Sequence, residues 1–348
     1  MSTLRLSTLL AWICGVTFLV GVAQRQVAAA PLCRAHVQSD LKLSARIDSV
    51  LALRSDGSAL ALAGPPGSSA RFLPHDNLLL LGLLGGRRAT TIRLPPYTTP
   101  PGIGLAPGTK DAYVLLDTKL LLLDAGAASV RFRWPLDVQA LGWPAVMTEA
   151  PDGRVYVAGQ PSNGSPAAVV EALNPILGRP LRVLWRRQLG LTHAGIWLAR
   201  DGGNRLAVYV PDAHDLAGTV ELLDARSGFP LGTYAVPGPP IALDPRADRL
   251  YVDAGGELHA LSLVHGATSG TQSARPGFIP FAVDPSLGVV AFVGAHGLVL
   301  ASSRSLRTLA VLPVSAVTAL AFTANGSMLL VARRGELLKV DMGKCFSS

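Results

Sequence analysis

Apolar and polar positions along most of this chain come in short packets. From Pro240 to Leu263 they form three strand-length apolar runs separated by two tight turns, and looser copies of that phrase recur along almost the whole sequence. A unit of about 40–50 residues holding several strands predicts a β-propeller, because one small sheet cannot bury both faces alone and must stack on the next. After residue 30 no stretch carries apolar residues at i, i+3, i+4 and i+7 over three turns without a Gly or Pro, so the expected class is all-β.

Seven inner-strand phrases are read, each running into a turn: Val50–Leu53, Gly102–Leu105, Ala145–Met147, Ile196–Leu198, Ile241–Leu243, Phe281–Val283 and Ala319–Phe322. The expectation is a seven-bladed β-propeller. Each inner strand is followed by a nearly continuous apolar one, such as Val155–Ala158 or Val289–Val293, as strands covered on both faces should be. Third strands such as Glu221-Leu222-Leu223-Asp224 lead into turns opened by Asp or Asn and ended by Gly. Four of the five glutamates, Glu171, Glu221, Glu257 and Glu336, are placed at one repeated scaffold position. Outer strands are more polar, and that of the fifth unit, Thr268 to Arg275, is the weakest. Pro65 to Asn77 reads as an insertion. The alternating segment Leu41 to Ile47 precedes the first full unit, so it is assigned as the outer strand of the last blade, closing the ring.

Residues 1–30 read differently, as a signal peptide: Arg5, an apolar run from Leu9 to Ala23, then small residues at Val27-Ala28-Ala29-Ala30. The run is short for a membrane span, so no stable membrane insertion is expected after cleavage, with an uncleaved anchor as the alternative. Residues 31–348 are then a single propeller domain, periplasmic or secreted. The formal net charge of +8 is spread over turns, and aromatic residues are 6% of the chain. That pattern lacks the dense basic patch with interleaved aromatics that nucleic acid requires, so no nucleic-acid partner is expected.

The leader holds Cys14, which leaves Cys33 at the start of the mature chain and Cys345 near its end. A closed ring brings its termini together, and an oxidising compartment lets a disulfide lock them. The Cys33–Cys345 bond is the expectation; unpaired thiols or a bond to a partner are the alternatives.

Arg249-Leu250-Tyr251-Val252-Asp253 and Arg154-Val155-Tyr156-Val157-Ala158, each soon after an Asp-Pro or Pro-Asp-Gly turn, resemble the Tyr-Val-Thr-Asn (YVTN) bacterial propeller repeat. More widely the chain, over about residues 35–345, is similar to the seven-bladed quinoprotein amine dehydrogenase-like propellers. The Asn that names the motif is replaced by Asp253 and Gly159, and the Trp-Asp dipeptides of WD40 repeats are missing. What the resemblance implies is a fold and an exported location, with no catalytic residue and no cofactor carried over.

Chemistry-bearing motifs are absent from the sequence. The seven histidines are scattered without ligand spacing, and there is no nucleophile elbow, phosphate-cradling loop or Cys-x-x-Cys. His259 is read as a packed or edge histidine, and Asn325-Gly326-Ser327 as a turn. No catalytic, metal or cofactor residue is assigned, and the chain is not expected to be catalytic on its own. What remains are the loops running from one outer strand to the next inner strand, which converge at one mouth of a propeller's channel. Their bulky or polar members are Tyr97, Trp143, His193, Arg275 and Phe278, and Tyr, Trp and Arg dominate binding hot spots. The expected function is a binding module for a protein partner at that mouth; the alternative is the propeller subunit of an amine dehydrogenase-type redox complex.

Overall fold

The computed structural model describes residues 38–42, 46–52, 59–64, 77–81, 90–94, 102–106, 111–124, 129–150, 152–160, 167–189, 197–200, 204–211, 217–244, 248–264, 268–273, 280–284, 286–323, 325–333 and 336–346. The expected signal peptide, Cys33 and four of the five mouth residues, Tyr97, His193, Arg275 and Phe278, lie outside them.

The strands pair into seven antiparallel four-stranded sheets. Strand β1 (Gln38–Lys42) comes first among the described residues. The first sheet is β2 (Arg46–Ala52), β3 (Ala59–Gly64), β4 (Asn77–Leu81) and β5 (Thr90–Arg93). The second is β6 (Gly102–Leu105), β7 (Asp111–Leu116), β8 (Lys119–Asp124) and β9 (Ser129–Pro135), followed by a short helix, α1 (Val138–Leu141). The third is β10 (Trp143–Glu149), β11 (Val155–Gln160), β12 (Val169–Asn174) and β13 (Arg182–Gln188). The fourth is β14 (Trp197–Arg200), β15 (Arg205–Pro211), β16 (Gly218–Asp224) and β17 (Pro230–Val236). The fifth is β18 (Pro240–Asp244), β19 (Arg249–Asp253), β20 (Glu257–Ser262) and β21 (Thr268–Ser273). The sixth is β22 (Phe281–Asp284), β23 (Val289–Gly294), β24 (Gly297–Ser302) and β25 (Thr308–Leu312). The chain ends with β26 (Val317–Phe322), β27 (Met328–Arg333), β28 (Glu336–Asp341) and helix α2 (Met342–Phe346).

Six sheets are therefore built from four consecutive strands each, and one is composite, with β1 pairing antiparallel to β28. The first strands of successive sheets, β2, β6, β10, β14, β18, β22 and β26, each touch the next, and β26 touches β2, so the series closes on itself. This is a β-propeller.

Among the described residues the core is distributed between sheets, one layer to each interface from the second sheet to the closing one. On β11, Val155 and Val157 pack toward the second sheet while Tyr156 and Ala158 pack toward the fourth. On β19, Leu250 and Val252 face the fourth sheet and Tyr251 faces the sixth. On β23, Val290 and Phe292 face the fifth sheet while Val289, Ala291 and Val293 face the closing one. With a neighbour on each side, side chains that alternate across the strand are all apolar, and the second strands lose the usual in–out polarity.

The tyrosine of the repeated Arg-x-Tyr-Val phrase has a definite task here. Tyr156 Oη donates to the Ala225 carbonyl at 2.9 Å in the following sheet, and Tyr251 Oη donates to the Ser303 carbonyl at 2.5 Å in its own following sheet. Ala225 and Ser303 occupy one repeated place just past the third strand, where each amide donates back to its own sheet's first turn, to Asn204 and Gly288 respectively. Trp185 Nε1 adds a second bond to the Ala225 carbonyl at 3.1 Å, and Tyr234 Oη binds the matching Leu263 carbonyl at 2.8 Å. One backbone place is thus used from both sides, by its own turn and by the preceding sheet. Burial of these hydroxyls raises the pKa of Tyr251 above the ordinary phenol value, with Asp244 adding to the effect.

The turns follow the expected chemistry. Asp224 accepts from the amides of Arg226 and Ser227 at 3.1 and 2.8 Å, Asp284 from those of Ser286 and Leu287 at 2.8 and 3.2 Å, and Gly228 closes its turn with φ of 74°. Asn325 Oδ1 accepts from the Ser327 amide and hydroxyl at 3.2 and 2.8 Å, the turn read from the sequence.

Two assignments change. The closing strand is Gln38–Lys42, not Leu41–Ile47; Arg46 and Ile47 open β2, the inner strand of the first sheet. The alternation runs from one strand into the next, so periodicity alone did not place the break. The four glutamates do not share one position. Glu171 and Glu221 lie mid-strand, three residues before Asn174 and Asp224, whereas Glu257 and Glu336 open their strands. Of these, Glu171 is 1% exposed and is ion-paired with Arg186, its cross-strand neighbour on β13. Thr268–Ser273, read as the weakest outer strand, does pair with β20 despite its polar composition, because an edge strand needs ladder bonds and no apolar inner face.

Candidate binding site

Successive turns of a four-stranded meander alternate between its two ends. Connections from the fourth strand to the next sheet share an end with the turns between second and third strands. The expected mouth is at this end, and Trp143 is its described member.

Trp143 opens β10 instead of lying in the preceding loop, and it is 41% exposed. Its backbone is fixed from below. Asp137 caps α1, its carboxylate accepting from the Ala140 amide at 3.2 Å, and Leu141 is fully buried. Gly142 then turns the chain with φ of 80°, and its amide donates to the Val138 carbonyl at 3.0 Å. A Cβ on Gly142 would meet the Gln160 carbonyl oxygen at 2.2 Å, and one on Gly159 would meet the Leu141 carbonyl oxygen at 2.0 Å. The helix and the end of β11 are therefore in backbone contact at two glycines. Trp143 pairs with Gln160 in register and a bulge follows between Pro144 and Val146. An indole held this way presents a large apolar surface with little conformational entropy to lose on binding.

The equivalent loop two sheets on is built on the same principle. A Cβ at Gly238 would meet the Asp253 carbonyl oxygen at 1.7 Å, and the Asp253 amide donates to the Pro239 carbonyl at 3.0 Å. Gly159, three residues after Tyr156, and Asp253, two after Tyr251, are thus the places where an entering loop crosses the end of the second strand. Asp253 accepts from the Gly255 and Gly256 amides at 3.0 and 3.4 Å, yet burial holds its carboxyl above the ordinary value. It is the titratable group that sequence reading missed at this end. Its signal was the departure from the motif.

In the Gly238-Pro239-Pro240 and Pro313-Val314-Ser315 loops Pro240 and Val314 are buried and contribute packing, while Pro313 and Ser315 are exposed. Helix α1 was also missed, although Asp137 and Gly142 bracket it as a cap and a stop would. His259 lies on β20, a strand paired on both sides, where Nε2 is 3.2 Å from Glu257 Oε2; of the packed and edge placements expected, it takes the packed one. Cys345 is 7% exposed in α2 and is not free; its expected partner Cys33 is outside the described residues. Among the described residues no group of three or more His, Cys, Asp or Glu is placed to hold a metal ion.

No protein-family model matches the sequence, and no curated protein matches it. Among solved structures the chain is similar to the crystal structure of the WD40 beta propeller domain of Doa1, with a TM-score of 0.57 and 13% sequence identity, over 88% of this chain and 96% of that one. At that identity the likeness establishes the β-propeller fold.

Proposed function

We propose that this protein is an exported seven-bladed propeller, the composite sheet counted as its closing blade, that binds a protein partner at the end carrying Trp143. The observation that carries this reading is an indole 41% exposed on a backbone locked by Gly142 and Gly159. Propellers serve widely as interaction scaffolds, and Trp is enriched at the energetic centres of interfaces. Tyr97, His193, Arg275 and Phe278 complete the proposed mouth. Removal of the N-terminal signal segment on export and a Cys33–Cys345 bond across the closure belong to the same reading, as does the resemblance to the YVTN and amine dehydrogenase-like propellers.

The test is affinity capture from the native source with wild type and a Trp143→Ala, Tyr97→Ala double variant. The expected result is loss of a specific partner with an unchanged melting temperature. Capture that persists in the double variant rejects the mouth. A stoichiometric redox subunit in the captured material would replace this reading with the amine dehydrogenase-type alternative.

A further inference from the structure

The opposite end of the ring carries the turns between first and second strands and those between third and fourth. In the third sheet the turn between β12 and β13 exposes Ile176 and Leu177, the latter by 45%; in the fourth the turn after β16 exposes Phe229 by 71% and leads to Leu231 at 54%; in the fifth Val264, just past β20, is 67% exposed. Three consecutive sheets thus display large apolar side chains at one end of the ring. Single exposed aliphatics are ordinary on a soluble surface, but a run of them at the tips of neighbouring turns is not.

Arginines are interleaved with these tips. Arg179 and Arg182 flank Ile176 and Leu177, Arg226 precedes Phe229, and Arg304 and Arg307 sit on the equivalent turn of the sixth sheet, all exposed. No ion pair joins any of these five guanidinium groups to a carboxylate of the described residues. Among the described acids nearby, Asp152 is engaged with Arg154, Asp248 with Arg205 and Asp224 with Ser227 and the Arg226 amide, while Asp284 is buried with one carboxylate oxygen on the amides of its own turn. Among the described residues, burial, hydrogen bonding and ion pairing so leave this arc with cationic and apolar groups as its available chemistry.

We infer that this arc rests on an anionic lipid bilayer. A folded protein partner would gather its apolar anchors around one desolvated centre. Here they are dispersed, one or two to a turn over three sheets, with cations between them. A membrane surface matches that layout, because its acyl boundary accepts separate apolar tips and its phosphate layer accepts guanidinium groups bidentately. Juxtaposed arginines gain from the negative surface potential within a Debye length. The contact is peripheral, made by the tips of turns, and it leaves the Trp143 end facing away from the lipid.

Vesicle flotation of the full chain tests this, using phosphatidylcholine vesicles with and without phosphatidylglycerol; the N-terminal apolar segment is common to every variant. Wild type should bind the anionic vesicles, and added salt should release it. Arg226→Ser with Arg304→Ser should weaken binding about fivefold for each arginine removed. Phe229→Ser with Leu231→Ser should weaken it roughly tenfold, and Ile176→Ser with Leu177→Ser gives an independent pair should the first fail to fold by circular dichroism. Trp143→Ala should bind vesicles like wild type, which separates this inference from the proposed mouth. Equal binding to neutral vesicles, or binding unaltered in both the arginine and the apolar variants, overturns it. Retention on an immobilised acidic polypeptide without vesicle binding overturns it in favour of a protein partner.

Discussion

Tyr156 and Tyr251 occupy the same place in two repeats, yet their hydroxyls should not be worth the same. The Ala225 carbonyl that Tyr156 serves also accepts from Trp185 Nε1 at 3.1 Å, whereas Tyr251 is the side-chain donor recorded for the Ser303 carbonyl. Tyr156→Phe should therefore cost about 1 kcal/mol, the net value of one hydrogen bond, while Tyr251→Phe leaves a buried acceptor without its donor and should cost about 2 kcal/mol. Urea unfolding of the two variants measures the order. Glu171 offers a second asymmetry. Burial raises its carboxyl above the ordinary value even though Arg186 pulls the other way. A raised folded-state pKa means that this group favours the fold below its unfolded value, and that the contribution is lost as pH rises through the folded one. Arg186→Ala strands the buried carboxylate and should destabilise at neutral pH by about 3 kcal/mol, with partial recovery on acidification toward pH 4. Glu171→Gln removes the buried charge and leaves Arg186 able to reach water, so its cost should be under about 1 kcal/mol at neutral pH. Equal losses in both variants would mean that desolvation of Glu171 is not the controlling cost. The tyrosine repeat was visible in the sequence because it recurs in phase, but its acceptor lies in another sheet and no periodicity points to it.

Among the elements, α1 and the end of β11 form the unit on which the candidate site depends. Gly159 lies directly under Leu141, with space for no further atom between the two backbones. Gly159→Ala should push α1 away from the sheet, lowering stability by about 1–3 kcal/mol as overpacked sites do. It should also reduce partner capture, since Trp143 starts the strand that follows α1 and Gly142. A variant that unfolds no more easily but binds less well would place the effect in the position of Trp143; one that loses stability with unchanged capture would uncouple α1 from the site. Most inner and second strands were legible from apolar runs ended by Asp-Pro, Asp-Gly or Asn-Gly turns. The boundary between β1 and β2 was not, because the apolar–polar alternation continues across it. The α1 helix also went unseen: four residues are too few to show a helical period, and only its capping residues could have announced it.

For the molecule as a whole, ring closure decides both stability and the placing of function. β1 completes the sheet of β26, β27 and β28, so the first described strand is held by the last. If the proposed Cys33–Cys345 bond reinforces that closure, Cys345→Ser should lower stability by up to about 5 kcal/mol, the chain-entropy value for so long a loop. Melting of wild type with and without reductant provides the comparison: a reductant-sensitive transition in wild type that is absent in the variant is the expected outcome, and identical curves would remove the bond from the account. The same closure sets every first turn on one end and every entering loop on the other, which is how Trp143 and the arginine-rich arc come to lie on opposite faces. Composition and repeat by themselves determined that the chain is all-β, that its unit is a small sheet needing neighbours on both sides, and that no familiar catalytic motif is present. These properties are local, written in turn residues and in apolar runs a few residues long. The tertiary structure alone decided which carbonyl each tyrosine serves, which glutamate is buried with its arginine, and which exposed turns share a face. Those depend on contacts between residues tens of positions apart, brought together by the stacking of sheets around a ring.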